Sequence, residues 1–219
     1  MTHNFDDLRY IAIEGVIGVG KTSLANRLRD TLEARLFLEE FEENPFLKDF
    51  YKDPKRYAFQ VQLFFLLSRF RQQEEIVQYD LFSSRVVADY MFQKDRIFAT
   101  LNLEPKEFKL YDMLASILEQ RIVKPDLVIY LRSSTDRLMA NIAKRGRQYE
   151  KDMSRDYIES LNRLYDEYFW NYEDTPLLII NMENIDFVNN RSHLEQVFTE
   201  IARHRSGRKN VTIDLGKGE

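Results

Sequence analysis

A glycine-rich segment near the start of the chain constrains its fold more than any other feature. Residues 15–22 read GVIGVGKT, which matches the pattern G-x-x-x-x-G-K-[ST]. The apolar run Tyr10–Glu14 before it predicts a strand, and the apolar spacing of Lys21–Leu32 after it predicts a helix. This order of elements is typical of a phosphate-binding loop (P-loop), in which backbone N–H groups and the N-terminus of the helix surround phosphate oxygens.

Every residue of this loop is a candidate for nucleotide binding: Gly15, Val16, Ile17, Gly18, Val19, Gly20, Lys21 and Thr22. The Lys21 ammonium is expected to reach the β- and γ-phosphates as a catalytic group, and the Thr22 hydroxyl is expected to hold Mg²⁺. A chance glycine-rich turn would match the pattern too, but its place between a strand and a helix favours a P-loop. The loop alone does not separate a GTPase, a motor and a small-molecule kinase.

Alternation of strands and helices predicts an α/β fold of the P-loop kinase type. Five runs have strand character, and they lie at residues 10–14, 35–38, 85–89, 127–131 and 177–180. Helices are predicted between them, including one from Pro105 to about Val123 and one capped by Thr135 that runs to Arg145. We therefore expect a five-stranded parallel sheet flanked by helices in a single domain over residues 1–204, with a loosely ordered tail at 205–219.

Composition excludes several classes of protein. The 219 residues carry a net charge of −4 and no cysteine, which disfavours a broad nucleic-acid surface and excludes disulfides, thiolate zinc sites and cysteine nucleophiles. The most apolar stretch, residues 61–67, is too short to span a bilayer, and residues 1–7 do not resemble a signal peptide. We expect a cytoplasmic protein that binds no nucleic acid and no membrane.

Ionisable residues follow several of the predicted strands. Glu39 and Asp89 should lie at the same edge of the sheet as the P-loop, because the carboxyl ends of parallel strands share one edge. A carboxylate there can accept a proton from a hydroxyl that attacks the γ-phosphate. However, Glu39 belongs to an acid-rich stretch, and composition alone favours ordinary solvated surface.

A long apolar helix over residues 57–79 carries two polar side chains on one face. Gln62 and Arg69 are seven residues apart, or two helical turns. Buried among apolar groups, they must either pair with other protein groups or bind a polar ligand edge such as a nucleobase.

Further along the chain, a predicted helix ends in a basic cluster that includes Arg145 and Arg147. This cluster suggests either a lid over a phosphoryl group, at about residues 144–153, or ordinary basic residues at a helix C-terminus.

Four further segments resemble one family. Residues 51–62 (YKDPKRYAFQVQ) resemble the segment Y-x-x-P-x-R-[WY]-x-F-x-x-Q of deoxynucleoside kinases, and residues 67–69 resemble its L-S-R. Residues 144–150 (KRGRQYE) are similar to its lid, and Asp95-Arg96 is similar to its D-R pair. These similarities run from Arg9 to about Asn181. The family contains deoxycytidine, deoxyguanosine and deoxyadenosine kinases.

The resemblance implies roles for particular residues. Glu39 would be the general base on the deoxyribose 5′-hydroxyl, with Tyr51 and Glu150 holding the 3′-hydroxyl. The nucleobase edge would be read by Gln62, Arg69 and Asp95, and aromatic residues would stack on the base. Arg145 and Arg147 would close over the phosphates, and the protein would form a homodimer through long helices.

The sequence departs from the family pattern after the third strand. Where the family has an acid, an arginine and a serine, this chain has Asp89, Tyr90 and Met91. Asp89 can still bind Mg²⁺ through water or position the general base. The missing arginine must be replaced by another cation, for which Lys94 is the first candidate and Arg85 the second. A second departure is Asn141, which stands where many family lids carry an arginine.

The resulting prediction is a kinase that transfers the γ-phosphate of ATP, with Mg²⁺, to the 5′-hydroxyl of a deoxynucleoside in nucleotide salvage. Deoxyadenosine is favoured, and deoxyguanosine or deoxycytidine remain open. Two alternatives are a thymidylate-type nucleoside monophosphate kinase, which needs no carboxylate base, and a non-catalytic nucleotide-binding subunit.

Overall fold

A parallel sheet of six strands forms the centre of the computed structural model, which describes residues 3–80, 85–151 and 153–213. The strand order is β2-β3-β1-β4-β5-β6, and every neighbouring pair is parallel. The strands are β1 (Tyr10–Glu14), β2 (Arg35–Phe37), β3 (Val86–Ala88), β4 (Leu127–Arg132), β5 (Leu177–Asn181) and β6 (Arg208–Thr212).

Helices connect the strands and cover both faces of the sheet, as parallel connections require. They are α1 (Lys21–Leu32), α2 (Leu47–Lys52), α3 (Pro54–Asp80), α4 (Lys94–Asn102), α5 (Pro105–Glu119), α6 (Thr135–Arg145), α7 (Arg155–Trp170) and α8 (Arg191–Arg203). None of the helices among the described residues has the length and apolar character needed to cross a bilayer.

The core lies where the central strands meet α1 and α7. All five residues of β1 are buried, and so are the first five of β4, because a parallel sheet that is covered on both faces has no solvated side. From α7, Tyr165 and Phe169 pack on Tyr130 of β4, with the Tyr130 and Phe169 rings stacked at 4.3 Å between centroids. This packing holds the carboxyl end of β1, and with it the P-loop, in a fixed position.

The α/β fold is confirmed, but the predicted number of strands was wrong. The sixth strand, β6 (RKNVT), lies in the segment that was expected to be a loose tail. It pairs with β5 at the edge of the sheet and four of its five residues are exposed. Because backbone hydrogen bonds hold an edge strand, its side chains need not follow an apolar pattern. Residues 214–219 of the predicted tail lie outside the described residues.

Helix ends differ from prediction by a few residues. Ser134, not Thr135, caps α6, and its hydroxyl accepts a hydrogen bond from the Arg137 N–H at 3.3 Å. The helix that begins at Pro105 ends at Glu119 rather than near Val123. The long apolar helix begins at Pro54, where the missing N–H of proline is tolerated in the first turn.

Candidate active site

The P-loop closes around its own lysine. The Lys21 ammonium donates hydrogen bonds to the carbonyl oxygens of Gly15 (2.7 Å) and Val16 (3.3 Å). Asn141 on α6 donates to the Gly18 carbonyl at 2.9 Å, so it contacts the loop although it lacks the charge of an arginine. Burial, followed by the nearby Lys94 charge, lowers the pKa of Lys21 to about 8.

Two glycines of the loop are required by the backbone. Gly15 has a φ of +149°, and a Cβ built on it would lie 2.5 Å from the Leu131 carbonyl oxygen of β4. Gly18 has a φ of +87°, and its Cβ would lie 2.9 Å from the Leu138 carbonyl oxygen. The loop therefore packs directly against the backbone of β4 and α6, which leaves no space for a side chain at either position.

Asp89 joins the P-loop to the end of β2. One carboxylate oxygen accepts a hydrogen bond from the Thr22 hydroxyl at 2.5 Å, and the other accepts one from the Glu39 backbone N–H at 2.9 Å. Both residues predicted to hold a metal ion therefore lie side by side. Thr22 and Asp89 offer oxygen ligands, and magnesium ions in proteins usually take their other ligands from phosphate oxygens and water.

The Glu39 side chain lies beside the P-loop and faces the site, as its place after β2 predicted. Its carboxylate accepts hydrogen bonds from the Lys94 ammonium at 2.7 Å and from the Arg69 guanidinium. Burial would raise the pKa of Glu39, but the charges of Lys94 and Arg69 and the hydrogen bonds they donate outweigh it and lower the pKa. These cations favour the ionised carboxylate, the form that a general base needs, although they also weaken it as a proton acceptor.

One cavity of about 110 Å³, open to solvent, brings the predicted residues together. Its wall includes every residue that the sequence proposed for the acceptor substrate or the lid: Glu39, Tyr51, Gln62, Arg69, Asp95, Arg145, Arg147 and Glu150. Aromatic side chains that the sequence analysis did not single out complete the wall: Phe41, Phe50, Phe65, Phe98 and Tyr157. Their signal was weak, because aromatic residues are common throughout this chain, which has 16 Phe and 12 Tyr.

The two polar residues of α3 have different environments in this cavity. Gln62 is 2 % exposed, and its Oε1 has no hydrogen-bond partner among the described residues. Arg69 pairs with Asp95 and with Glu39, and its guanidinium lies over the rings of Phe65 (5.0 Å) and Tyr90 (5.9 Å). Burial raises the pKa of Asp95 although Arg69 opposes the shift. Arg69 is thus paired through its two terminal nitrogens, but its Nε, like Oε1 of Gln62, has no hydrogen-bond partner among the described residues.

The lid arginines are held by a carboxylate. Arg145 pairs with Glu150, with its Nε donating at 3.1 Å, and an Arg147 nitrogen lies 3.7 Å from the same side chain. The Arg147 guanidinium also lies 4.1 Å from the centre of the Phe41 ring. Residue 152 of the predicted lid lies outside the described residues. Glu150, which the resemblance assigned to the sugar, therefore also positions the two cations.

Tyr90 occupies the place of the missing arginine and is fully buried. Its hydroxyl donates to Gln72, whose amide in turn donates to the Leu38 carbonyl oxygen at 3.0 Å. Lys94 supplies the cation near Glu39. Arg85 was the second candidate, but it lies just before β3, at the amino ends of the strands, where it pairs with Asp6. That alternative was therefore wrong.

A second cavity adjoins the P-loop on its other side. It is lined by residues 18–23, by α6 and by the loop between β5 and α8, including Phe187. The Arg137 guanidinium holds this loop by donating to the Glu183 carbonyl and, at 2.5 Å, to the Ile185 carbonyl. The sequence of this loop carries no motif, so none of its residues was predicted to belong to the site.

Comparison with known proteins finds similar sequences and similar solved structures. The sequence profile of a family described as deoxynucleoside kinase matches residues 11–205. A deoxyguanosine kinase of Bacillus subtilis is 34% identical over 197 residues, which cover 88% of this chain and 95% of that protein. A deoxyadenosine kinase of Lactobacillus acidophilus is 34% identical over 208 residues, covering 89% and 95%. The solved structure of a deoxyadenosine kinase from M. mycoides with bound dATP is similar with a TM-score of 0.75 at 27% identity, covering 88% of this chain and 98% of that one.

Proposed function

The chain belongs to the deoxynucleoside kinase family, whose members are ATP-dependent phosphotransferases, and we propose that it phosphorylates the 5′-hydroxyl of a deoxynucleoside, with deoxyadenosine as the favoured acceptor. The observation that carries the proposal is the ionised Glu39 carboxylate, which lies in one cavity with the P-loop residues Lys21 and Thr22. A hydroxyl acceptor needs such a base, whereas a phosphate acceptor does not.

In the proposed reaction, Glu39 takes the proton of the 5′-hydroxyl while the 5′-oxygen forms a bond to the γ-phosphorus of ATP. The bond from that phosphorus to the β,γ-bridging oxygen breaks, and ADP leaves with the electron pair. Lys21, Arg145 and Arg147 stabilise the negative charge of the transferring group. When bound, Mg²⁺ supplies further positive charge at the phosphates, and Thr22 and Asp89 are the residues that would hold it.

The acceptor is proposed to lie with its sugar near Tyr51 and Glu150 and its base between Gln62, Arg69 and Asp95. The unpaired Oε1 of Gln62 supports a base that carries an amino group beside a ring nitrogen, because an amide offers an acceptor and a donor side by side, and adenine and cytosine both present such an edge. The named relatives include both deoxyadenosine and deoxyguanosine kinases.

Initial rates on the four deoxynucleosides and their ribose counterparts, at one ATP concentration, test this proposal. We expect 5′-monophosphate products, with deoxyadenosine giving the highest kcat/KM. A higher kcat/KM for deoxyguanosine or deoxycytidine would change the proposed nucleobase but not the proposed reaction. Phosphorylation of nucleoside monophosphates, with no activity on any nucleoside, would overturn the proposal.

We also propose that the reaction takes place in the cytoplasm, where ATP is available as the donor.

The affinity for ATP should fall at alkaline pH because of Lys21. In the free protein the pKa of Lys21 is lowered to about 8, and bound phosphates favour the charged ammonium. ATP binding therefore requires a proton above that pH, and affinity should drop by up to about tenfold per pH unit there. Calorimetric titration of ATP across this range measures the effect. Lys21→Arg keeps its charge and should lose the pH dependence; an equal dependence in this variant would contradict the assignment.

We also propose a homodimer, formed through an apolar stripe on α5. Leu110, Met113, Leu114 and Ile117 share one helix face and are 49%, 60%, 37% and 59% exposed, a patch of the kind that marks an interface. Met113→Glu combined with Ile117→Glu should convert the dimer to a monomer in light scattering, because paired helices would bury the new charges. Lys48→Glu on α2 is an exposed control that should remain dimeric. A monomeric wild-type protein would contradict the proposal.

A further inference from the structure

Both carboxylate oxygens of Glu39 are engaged by cations. Oε2 accepts from the Lys94 ammonium at 2.7 Å, and Oε1 accepts from the Arg69 guanidinium. The side chains of Lys94 and Arg69 are only 3% and 4% exposed and that of Glu39 is 18% exposed, so solvent weakens these pairs only a little. A base whose oxygens both accept strong, charge-assisted hydrogen bonds is a poor acceptor for the proton of a third group.

Arg69 connects this base to the nucleobase end of the cavity. One terminal nitrogen bonds to Asp95 and the other bonds to Glu39. The guanidinium lies over the rings of Phe65 and Tyr90, and its Nε has no hydrogen-bond partner among the described residues, so a ligand would contact its edge rather than stack on these faces. A nucleobase bound near Gln62 and Asp95 that drew the guanidinium toward itself would weaken the hydrogen bond to Glu39.

We propose that Arg69 restrains Glu39 until a nucleobase draws the guanidinium away, so that nucleobase recognition controls the reactivity of the general base. This inference rests on the proposed function of the site. Arg69 is then a positioning and specificity-determining residue, and a correct base raises kcat as well as affinity. Lys94 remains on the other oxygen and keeps the carboxylate oriented.

The restraint also protects ATP from water. If Glu39 were free before the nucleoside bound, it could take a proton from water while the water oxygen bonded to the γ-phosphorus and the bond to ADP broke, which yields ADP and inorganic phosphate. With Oε1 held by Arg69, this hydrolysis should be slow in the empty acceptor site. Release of the restraint should therefore increase ATP hydrolysis in the absence of nucleoside.

The test variant combines Arg69→Gln with Asp95→Asn. It removes one positive and one negative charge from the buried group, so Glu39 and Lys94 remain as a balanced pair. We expect nucleoside-independent ATP hydrolysis to rise at least fivefold, and to fall back when Glu39→Gln is added. Arg71→Gln, an exposed arginine on the same helix, is the matched control and should hydrolyse ATP at the wild-type rate.

A second readout separates restraint from a merely structural effect. For the wild-type protein, 1,2-dideoxyribose, which has the 5′-hydroxyl but no base, should show a kcat at least tenfold below that of deoxyadenosine, in addition to a higher KM. In the double variant the two kcat values should approach each other. If the double variant is poorly folded, Arg69→Lys serves instead, because one ammonium cannot bridge both carboxylates as the guanidinium fork does.

The outcomes distinguish this inference from the proposed function. If the wild-type protein phosphorylates deoxynucleosides but the folded double variant shows no rise in ATP hydrolysis and an unchanged kcat ratio, the restraint is refuted and the kinase function stands. If no deoxynucleoside is phosphorylated by the wild-type protein, the proposed function fails, and the inference fails with it.

Discussion

Glu39→Gln should lower the turnover of a deoxynucleoside by roughly 10²–10⁴-fold at saturating ATP and acceptor, the range expected when a general base is lost. The amide is nearly isosteric with the carboxylate but cannot take the proton of the 5′-hydroxyl. Because ATP is proposed to bind at the P-loop rather than at residue 39, its affinity should change little. Steady-state kcat and calorimetric ATP titration measure the two quantities.

The neighbouring carboxylate provides a matched control for this variant. Glu40 accepts a hydrogen bond from the Ser68 hydroxyl at 3.0 Å and does not line the cavity, so Glu40→Gln should keep near-normal turnover.

The Glu39→Gln substitution also leaves Lys94 buried without its ion-pair partner, which can destabilise the fold. Circular dichroism must therefore show that the variant is folded. A folded Glu39→Gln protein with wild-type kcat would remove Glu39 from the role of base.

Gly15→Ala should destabilise the protein by on the order of 2–5 kcal/mol and abolish ATP binding. The new Cβ would lie 2.5 Å from the Leu131 carbonyl oxygen, and β4 cannot move because it lies between β1 and β5. The left-handed φ of +149° adds its own cost for any residue with a side chain. Urea denaturation measures the free energy of unfolding, and titration with ATP measures the binding.

Gly207→Ala measures the cost of a left-handed backbone conformation without a steric clash. Gly207 has a φ of +64°, and a Cβ there would meet nothing within 4 Å. Its substitution should therefore cost only about 1–2 kcal/mol and leave ATP binding intact. Equal losses of stability in the two variants would show that the contact with Leu131 is unimportant. Retained ATP affinity in a folded Gly15→Ala protein would contradict the role given to this glycine.

Much of the fold could be predicted because local signals and tertiary packing agree. Runs such as Tyr10–Ile13 and Leu127–Leu131 are apolar, as expected of strands buried on both faces. Prediction failed at Arg208–Thr212, where backbone pairing with β5 holds a polar edge strand. The resemblance to deoxynucleoside kinases, carried by short motifs, is confirmed by the family match over residues 11–205.

The candidate site was predictable as a set of residues but not as an arrangement. Position after a strand placed Glu39 near the P-loop, since parallel strands end at one edge. It did not indicate that Arg69, 30 residues further on, would bond to Glu39 and Asp95 at once. The aromatic wall and the loop after β5 were missed because their residues come from several helices and carry no local motif.

The sequence by itself determined the phosphate-binding loop, the parallel α/β arrangement and the residue types at the strand ends, because each of these depends on short-range spacing. Only the tertiary structure decided which charges meet. Whether Arg69 reads a ligand, pairs with Asp95 or restrains Glu39 depends on how α3 and α4 pack beside β2, and helix packing is set by the whole core. A buried charge takes its partner from whatever that packing brings within hydrogen-bond distance, since leaving it unpaired away from water is too costly.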